Sequence, residues 1–229
     1  MPSPDILQQF LFENADIRGE IITLSESYHK ATSTRPYPAN LTQHIGEFMA
    51  AAGLLSATLK FNGTISLQAQ GNGPVSLIMA DCTRHHNLRG IARFGEDTNL
   101  DESTSLDTLI GEGTLAITIT PSRGERYQGL VPLDAQNLAE SLEYYFRQSE
   151  QLQTRLWLAS SNNSVCGLMI QRLPDAEFSA EYNQEAWQRM GDSKRVLIRY
   201  RYSVIISNGA RIIPRYSFSR NVPQTGQNR

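Results

Sequence analysis

Residues 62–80, NGTISLQAQGNGPVSLIMA, decide the fold class. From Thr64 to Gln70, Ile65, Leu67 and Ala69 alternate with Ser66, Gln68 and Gln70, the period of a strand with one wet face. Asn62-Gly63 before it and Gly71-Asn72-Gly73-Pro74 after it are turn chemistry, so Val75–Ala80 reads as the hairpin partner. Upstream, Leu41, Ile45, Phe48, Met49, Ala52, Leu55 and Leu59 form the apolar stripe of a helix, with Asn40 placed to cap it. Gly46, Gly53 and the alanines of that helix predict close packing against a neighbour.

Working outward, Asp5–Asn14 carries Ile6, Leu7, Phe10 and Leu11 at helical spacing with Asp5 as a cap, and Glu20–Leu24 reads as a short strand. Further strands are predicted at Leu88–Phe94, Thr114–Thr120, Tyr127–Val131, Leu156–Ala159 and Val165–Gln171. A helix is predicted over 137–150, opened by Asn137 and Glu140 as a capping pair. Strands run together with helices between groups and without βα alternation, which predicts an α+β fold.

Composition sets the outer limits. The chain has 229 residues with 40% hydrophobic and 19% charged, which suits a packed domain and not a disordered one. Its longest mostly apolar run, Phe48–Leu59, falls short of the roughly 18 residues that a membrane span needs. The start, MPSPDILQQF, lacks the basic and apolar segments of a secretory signal, and two cysteines make no disulfide framework. A cytoplasmic protein without membrane contact is expected. The net charge of −2 conceals a split. Residues 192–229 hold eight basic residues and one acid, a net of +7, which leaves 13 basic and 22 acidic residues, a net of −9, in 1–191.

No chemistry-bearing cluster is complete. Asp81-Cys82-Thr83-Arg84-His85-His86 offers metal-ligand types, but adjacent histidines on a strand face opposite ways and no second cluster joins them. It reads as a polar loop. Gly71-Asn72-Gly73 and Gly111-Glu112-Gly113 lack the spacing and the lysine of a phosphate loop and read as hairpin turns. Glu125 and Arg126, in GERYQG, have no nucleophile or base beside them and read as a buried ion pair at a sheet corner. No enzyme is expected.

The stretches FLFENADIRGE at 10–20, LLSATLKFNGTISLQAQGNGPVSLI at 54–78, LRGIARF at 88–94 and ITITPSRGERYQGLV at 117–131 resemble the redox-regulated heat-shock chaperone family known as the 33 kDa chaperonin. LEYYFRQSEQLQTRLWLA at 142–159 and GLMIQRLP at 167–174 carry the likeness to the end of a core spanning 1–174. The resemblance implies a nucleotide-independent holdase for unfolded or oxidatively damaged clients, an α+β core, and a homodimer. It also implies a linker and a zinc domain whose four cysteines, CxC and CxxC, release the metal on oxidation.

Residues 175–191 still resemble the start of that linker, and its apolar positions Phe178, Tyr182 and Trp187 are the expected client-contacting residues. After Gly191 the likeness stops, and 192–229 contains no cysteine, so no zinc and no redox switch of the family's kind are expected from this chain. One reading makes this basic tail the out-of-frame product of a frameshift near codon 192. The other makes it a basic arm, in which Ile198, Tyr200, Tyr202 and Val204 alternate with Arg199, Arg201 and Ser203 and could meet nucleic acid. A solvated basic face is the plainer account, so nucleic acid is not the expected partner. An inactive remnant is the third alternative.

Overall fold

The computed structural model describes residues 5–12, 15–95, 104–133, 135, 137–174, 179–191 and 212–216. In chain order these form β1 (Ile6–Phe12), β2 (Ile17–Leu24), α1 (Glu26–Thr32), α2 (Ala39–Ala57), β3 (Gly63–Gly71), β4 (Val75–Thr83) and β5 (Leu88–Phe94). There follow α3 (Leu106–Ile110), β6 (Gly113–Pro121), β7 (Tyr127–Pro132), α4 (Leu138–Tyr145), β8 (Thr154–Ser160), β9 (Val165–Arg172), α5 (Ala180–Gly191) and β10 (Ile212–Tyr216). The strands make two antiparallel sheets, ordered β10-β1-β2-β9-β8 and β5-β4-β3-β6-β7. The fold is α+β, as the strand and helix grouping predicts.

Helix α2 lies between the sheets, packed on β2, β8 and β9 of the first and on β3, β4 and β5 of the second. Its apolar residues surround it on every side, and Ile45, Phe48, Ala51 and Leu54 have no solvent exposure. A helix apolar all round belongs in a core. In the second sheet, Ile65, Leu67 and Ala69 of β3 stand beside Cys82, Ala80 and Ile78 of β4 and Ile119, Ile117 and Leu115 of β6. That face meets α2, and the serines and glutamines of β3 take the other.

The expected close packing is present. A Cβ on Gly46 would sit 2.7 Å from Cε2 of the buried Tyr28 ring, and one on Gly53 would sit 2.3 Å from Ile22 Cδ1. Asn137 caps α4 by accepting from the Glu140 amide at 3.0 Å. The helical turn beyond α4, Phe146–Glu150, widens to π geometry and ends at Gln151 with φ +53°.

Five expectations need correction. Residues 6–12 form a strand, because β1 is apolar at both parities (Leu7 and Leu11, Phe10 and Phe12) and pairs with β2 from Ile6↔Thr23 to Leu11↔Arg18. Asp5 caps a different helix: its carboxylate accepts from the Ser25, Glu26 and Ser27 amides at 2.8–3.0 Å, at the start of α1. Pro38 holds the N-cap position of α2, and Asn40 inside the helix donates to the Thr104 carbonyl at 3.1 Å. Gly111, at φ +71°, ends α3 and leads into β6, so 111–113 is a helix exit and not a hairpin turn. Glu125 and Arg126 are both exposed and form no buried pair. Helices α1 and α3, of seven and five residues, were too short to show a period in the sequence.

Because Tyr28 is sealed against α2, its ring cannot yield to a larger residue at position 46. Gly46→Val should destabilise the fold by about 1–3 kcal/mol, read as a lower urea midpoint at unchanged slope.

Candidate functional site

The two outer faces of the molecule differ. On the second sheet, outward positions are polar or mixed: Ser66, Gln68, Gln70, Thr114 and Thr118 lie across neighbouring strands. On the first sheet they include a continuous apolar cluster: Phe10 and Phe12 from β1, Ile17 from β2, Leu168 and Ile170 from β9, with Trp157 of β8 packed at its side. The Phe10 ring reaches over Gly19 of the neighbouring strand, with Cζ, Cε2 and Cε1 at 2.2–2.9 Å from where a Cβ would stand. Such a continuous apolar sheet face demands a cover.

Part of the cover is α5. Trp187 and Met190, each 7% exposed, join that cluster, and Ala186 packs beside them. The Arg155 guanidinium of β8 stacks over the Trp187 ring at 5.1 Å, a cation–π contact. At the helix start, Asn183 Nδ2 donates to Asp16 Oδ2 at 2.7 Å and Asn183 Oδ1 accepts from the Asp16 amide at 2.9 Å. Arg172 Nη1 donates to Gln184 Oε1 at 3.1 Å. A helix of 12 residues is marginal alone in water, so docking on the sheet is what keeps α5 helical.

Of the three residues singled out in the sequence, Trp187 faces the sheet and not solvent. Tyr182 lies in α5, and Phe178 lies outside the described residues. The sequence reading missed the platform itself. Its signal was present in the mixed parity of β1, where Phe10 and Phe12 alternate with Leu7 and Leu11, the mark of a strand covered on both faces.

The Asp81–His86 segment is a packed corner. Cys82 Sγ donates to Ser56 Oγ at 3.1 Å, Ser56 donates to the Gly53 carbonyl at 2.8 Å, and His86 Nδ1 lies 3.2 Å from the same hydroxyl. Burial pushes the Cys82 thiol up to about 12, against the smaller opposing effect of the Ser56 bond. Asp81 pairs with Arg89 across the sheet. No group of three or more metal-ligating side chains converges among the described residues. Cys82 faces α2, whereas Cys166 shares the outward parity of Leu168 on the other sheet and contacts Thr23 Oγ1 at 3.6 Å. These two sulfurs do not fit a shared zinc.

One buried acid stands out. Glu20 of β2 is 1% exposed, and its Oε2 has no hydrogen-bond partner. Gln9 Nε2 is shared between Glu20 Oε1 at 3.4 Å and the Ala57 carbonyl at the end of α2, at 3.1 Å. Arg18 Nε stands 4.0 Å away. Desolvation dominates and raises the Glu20 carboxyl to about 7, with Arg18 and Gln9 opposing more weakly.

The family model described as Hsp33 protein matches residues 5–201. The 33 kDa chaperonin of Pseudomonas savastanoi pv. phaseolicola is 43% identical over 191 residues, 83% of this chain and 63% of that protein. That of Shewanella sp. strain W3-18-1 is 49% identical over 173 residues, 76% of this chain and 60% of that protein. The chain thus spans about three fifths of the length of these curated relatives. The crystal structure of the 33 kDa chaperonin from Thermotoga maritima superposes with a TM-score of 0.68 at 21% identity, covering 82% of this chain and 67% of that one. At that identity the likeness shows the fold.

Two outcomes are expected. The folded protein keeps on Glu20 a proton that the unfolded chain releases from pH 4.5 upward, so stability falls as pH rises from 4.5 to about 7 and is level beyond. Glu20→Gln should match the parent near pH 4.5 and exceed it at pH 8 by at most about 3 kcal/mol, measured by urea unfolding at both pH values. Native Cys82 should resist alkylation at pH 8 and react once the chain is unfolded, detected by mass spectrometry of the labelled peptide.

Proposed function

Since this chain belongs to the Hsp33 family, we propose that it is a holdase: it holds unfolded polypeptides on the outer face of its first sheet and uses no nucleotide. The observation that carries this reading is the apolar platform of Phe10, Phe12, Ile17, Leu168 and Ile170, covered by a helix too short to stand alone. A chaperone for many sequences needs a broad apolar face that is hidden until it is needed. Here α5 is the removable part. Undocking it exposes the platform together with Trp187, and Trp187, Tyr182 and Phe178 then line the client path.

In this reading 1–174 is the chaperone core, 175–191 a shortened linker and 192–229 a basic tail. Clients are unfolded or oxidatively damaged proteins, the protein works in the cytoplasm, and the homodimer of the resemblance is part of the proposal. The redox switch is not. Cys82 is a buried, protonated thiol and Cys166 sits on the other sheet, so oxidant has no metal-bound cluster to break in this chain. Docking of α5 therefore depends on temperature and competition by client, not on thiol state.

The test is light scattering of a chemically unfolded client diluted into buffer with this protein, first in reductant and then in peroxide. Equal suppression in both is the expected result. A clear gain in peroxide would sink the redox-independent reading, and no suppression in either would make the chain an inactive remnant. Trp187→Ala should loosen α5 and raise binding of an apolar fluorescent dye, with suppression equal to or above the parent's.

A further inference from the structure

We infer that the outer edge of β1 is a strand-accepting site for an extended segment of an unfolding polypeptide, and that the chain's own β10 occupies it as a displaceable plug. This rests on the client-holding reading and adds a second, main-chain mode of capture beside the apolar platform.

The edges of the two sheets are guarded unequally. At one end of the first sheet, β8 lies under α4, and Glu143 Oε1 accepts from the Leu156 amide at 2.8 Å. In the second sheet, β5 carries Arg89 and Arg93, and β7 ends in Pro132, which are the usual devices against strand addition. The β1 edge has none of these among the described residues. It is met instead by another strand, β10, in antiparallel pairing.

That strand fits poorly. Its register runs Phe12↔Ile212 and Leu11↔Ile213, then slips before Gln9↔Tyr216, and Pro214 falls inside the slip. Proline has no amide hydrogen, so it cannot complete a ladder. β10 also stops short: Ile6–Gln8 have no partner on that side among the described residues. The acceptor, by contrast, is held rigid. Asp5 pins the start of β1 to α1 through three amides, and β2 pairs along its other side. A better strand thus gains hydrogen bonds that β10 leaves unmade.

Main-chain pairing suits a partner of no fixed sequence, because N–H and C=O groups supply the affinity and side chains only modulate it. An added strand would also lie against Phe10 and Phe12, whose rings belong to the apolar platform. Capture at the edge and burial on the face are then contiguous.

The experiment uses the full chain, its Ile213→Pro variant, which weakens β10, and its Pro214→Thr variant, which repairs it. The probe is fluorescent, reduced and carboxymethylated lactalbumin, which stays unfolded. Amide exchange across residues 6–12 and probe anisotropy are both read. Ile213→Pro should expose the β1 amides and tighten probe binding about tenfold, the worth of one or two hydrogen bonds. Bound probe should restore protection at β1, and Pro214→Thr should weaken binding. Equal affinity in all three, unchanged exchange in Ile213→Pro, or a bound probe that leaves β1 unprotected overturns the edge site and leaves the holdase standing. Absence of probe binding in all three overturns both.

Discussion

Burial of α2 on all sides is the constraint from which the rest of the molecule follows. A helix this apolar needs two walls, and each wall must be a sheet with one face given over to it. Ala50, Ala51 and Ala52 keep those walls near, and the glycines at 46 and 53 let Tyr28 and Ile22 close in. Leu54 and Phe48 then fill the space between, at zero exposure. Two sheets that share one helix have two outer faces left over. What those faces carry is free to be functional.

The outer faces diverge in chemistry. On the second sheet the outer face is mixed: Ser66, Gln68 and Thr118 stand among Met79, Ile91 and Leu130, the last two 37% and 64% exposed. On the first sheet the outward residues include one continuous apolar cluster, and α5 turns part of that face into an interior. The inner face of the same sheet carries the strain. Glu20 is held beside the carbonyl end of α2, where an anion is disfavoured both by burial and by the helix dipole. Gln9 mediates by donating to Glu20 and Ala57 together. A neutral Glu20 avoids the cost of a buried charge at this corner, and an ionised one burdens the hairpin of β1 and β2 that builds the platform.

Much of this was legible in the sequence. The strands from β3 to β9 and the packed helix α2 follow from period-2 and period-3.6 patterns, and the Asn137 cap from its spacing to Glu140. β1 was not, because a strand covered on both faces is apolar at both parities, and ILQQFLF satisfies a helical template equally well. Asp5 looked like a cap and is one, but for a helix twenty residues on, which spacing within a segment cannot reveal. The site followed the same rule. Trp187 was visible as an apolar position in a polar stretch, whereas Phe10, Ile17 and Leu168 come together only through sheet order β1-β2-β9. Long-range pairing made the platform, and no local pattern records it.

The proposed seat of clients on the outer face of the first sheet is tested by crosslinking from a photoreactive residue placed at Ile21 on that face, with one at Gln68 on the second sheet as control, in the presence of an unfolding client. Client adducts are expected from position 21, increasing as α5 is loosened, and none above background from position 68. Adducts from position 68 alone, or equally from both, would contradict that seat.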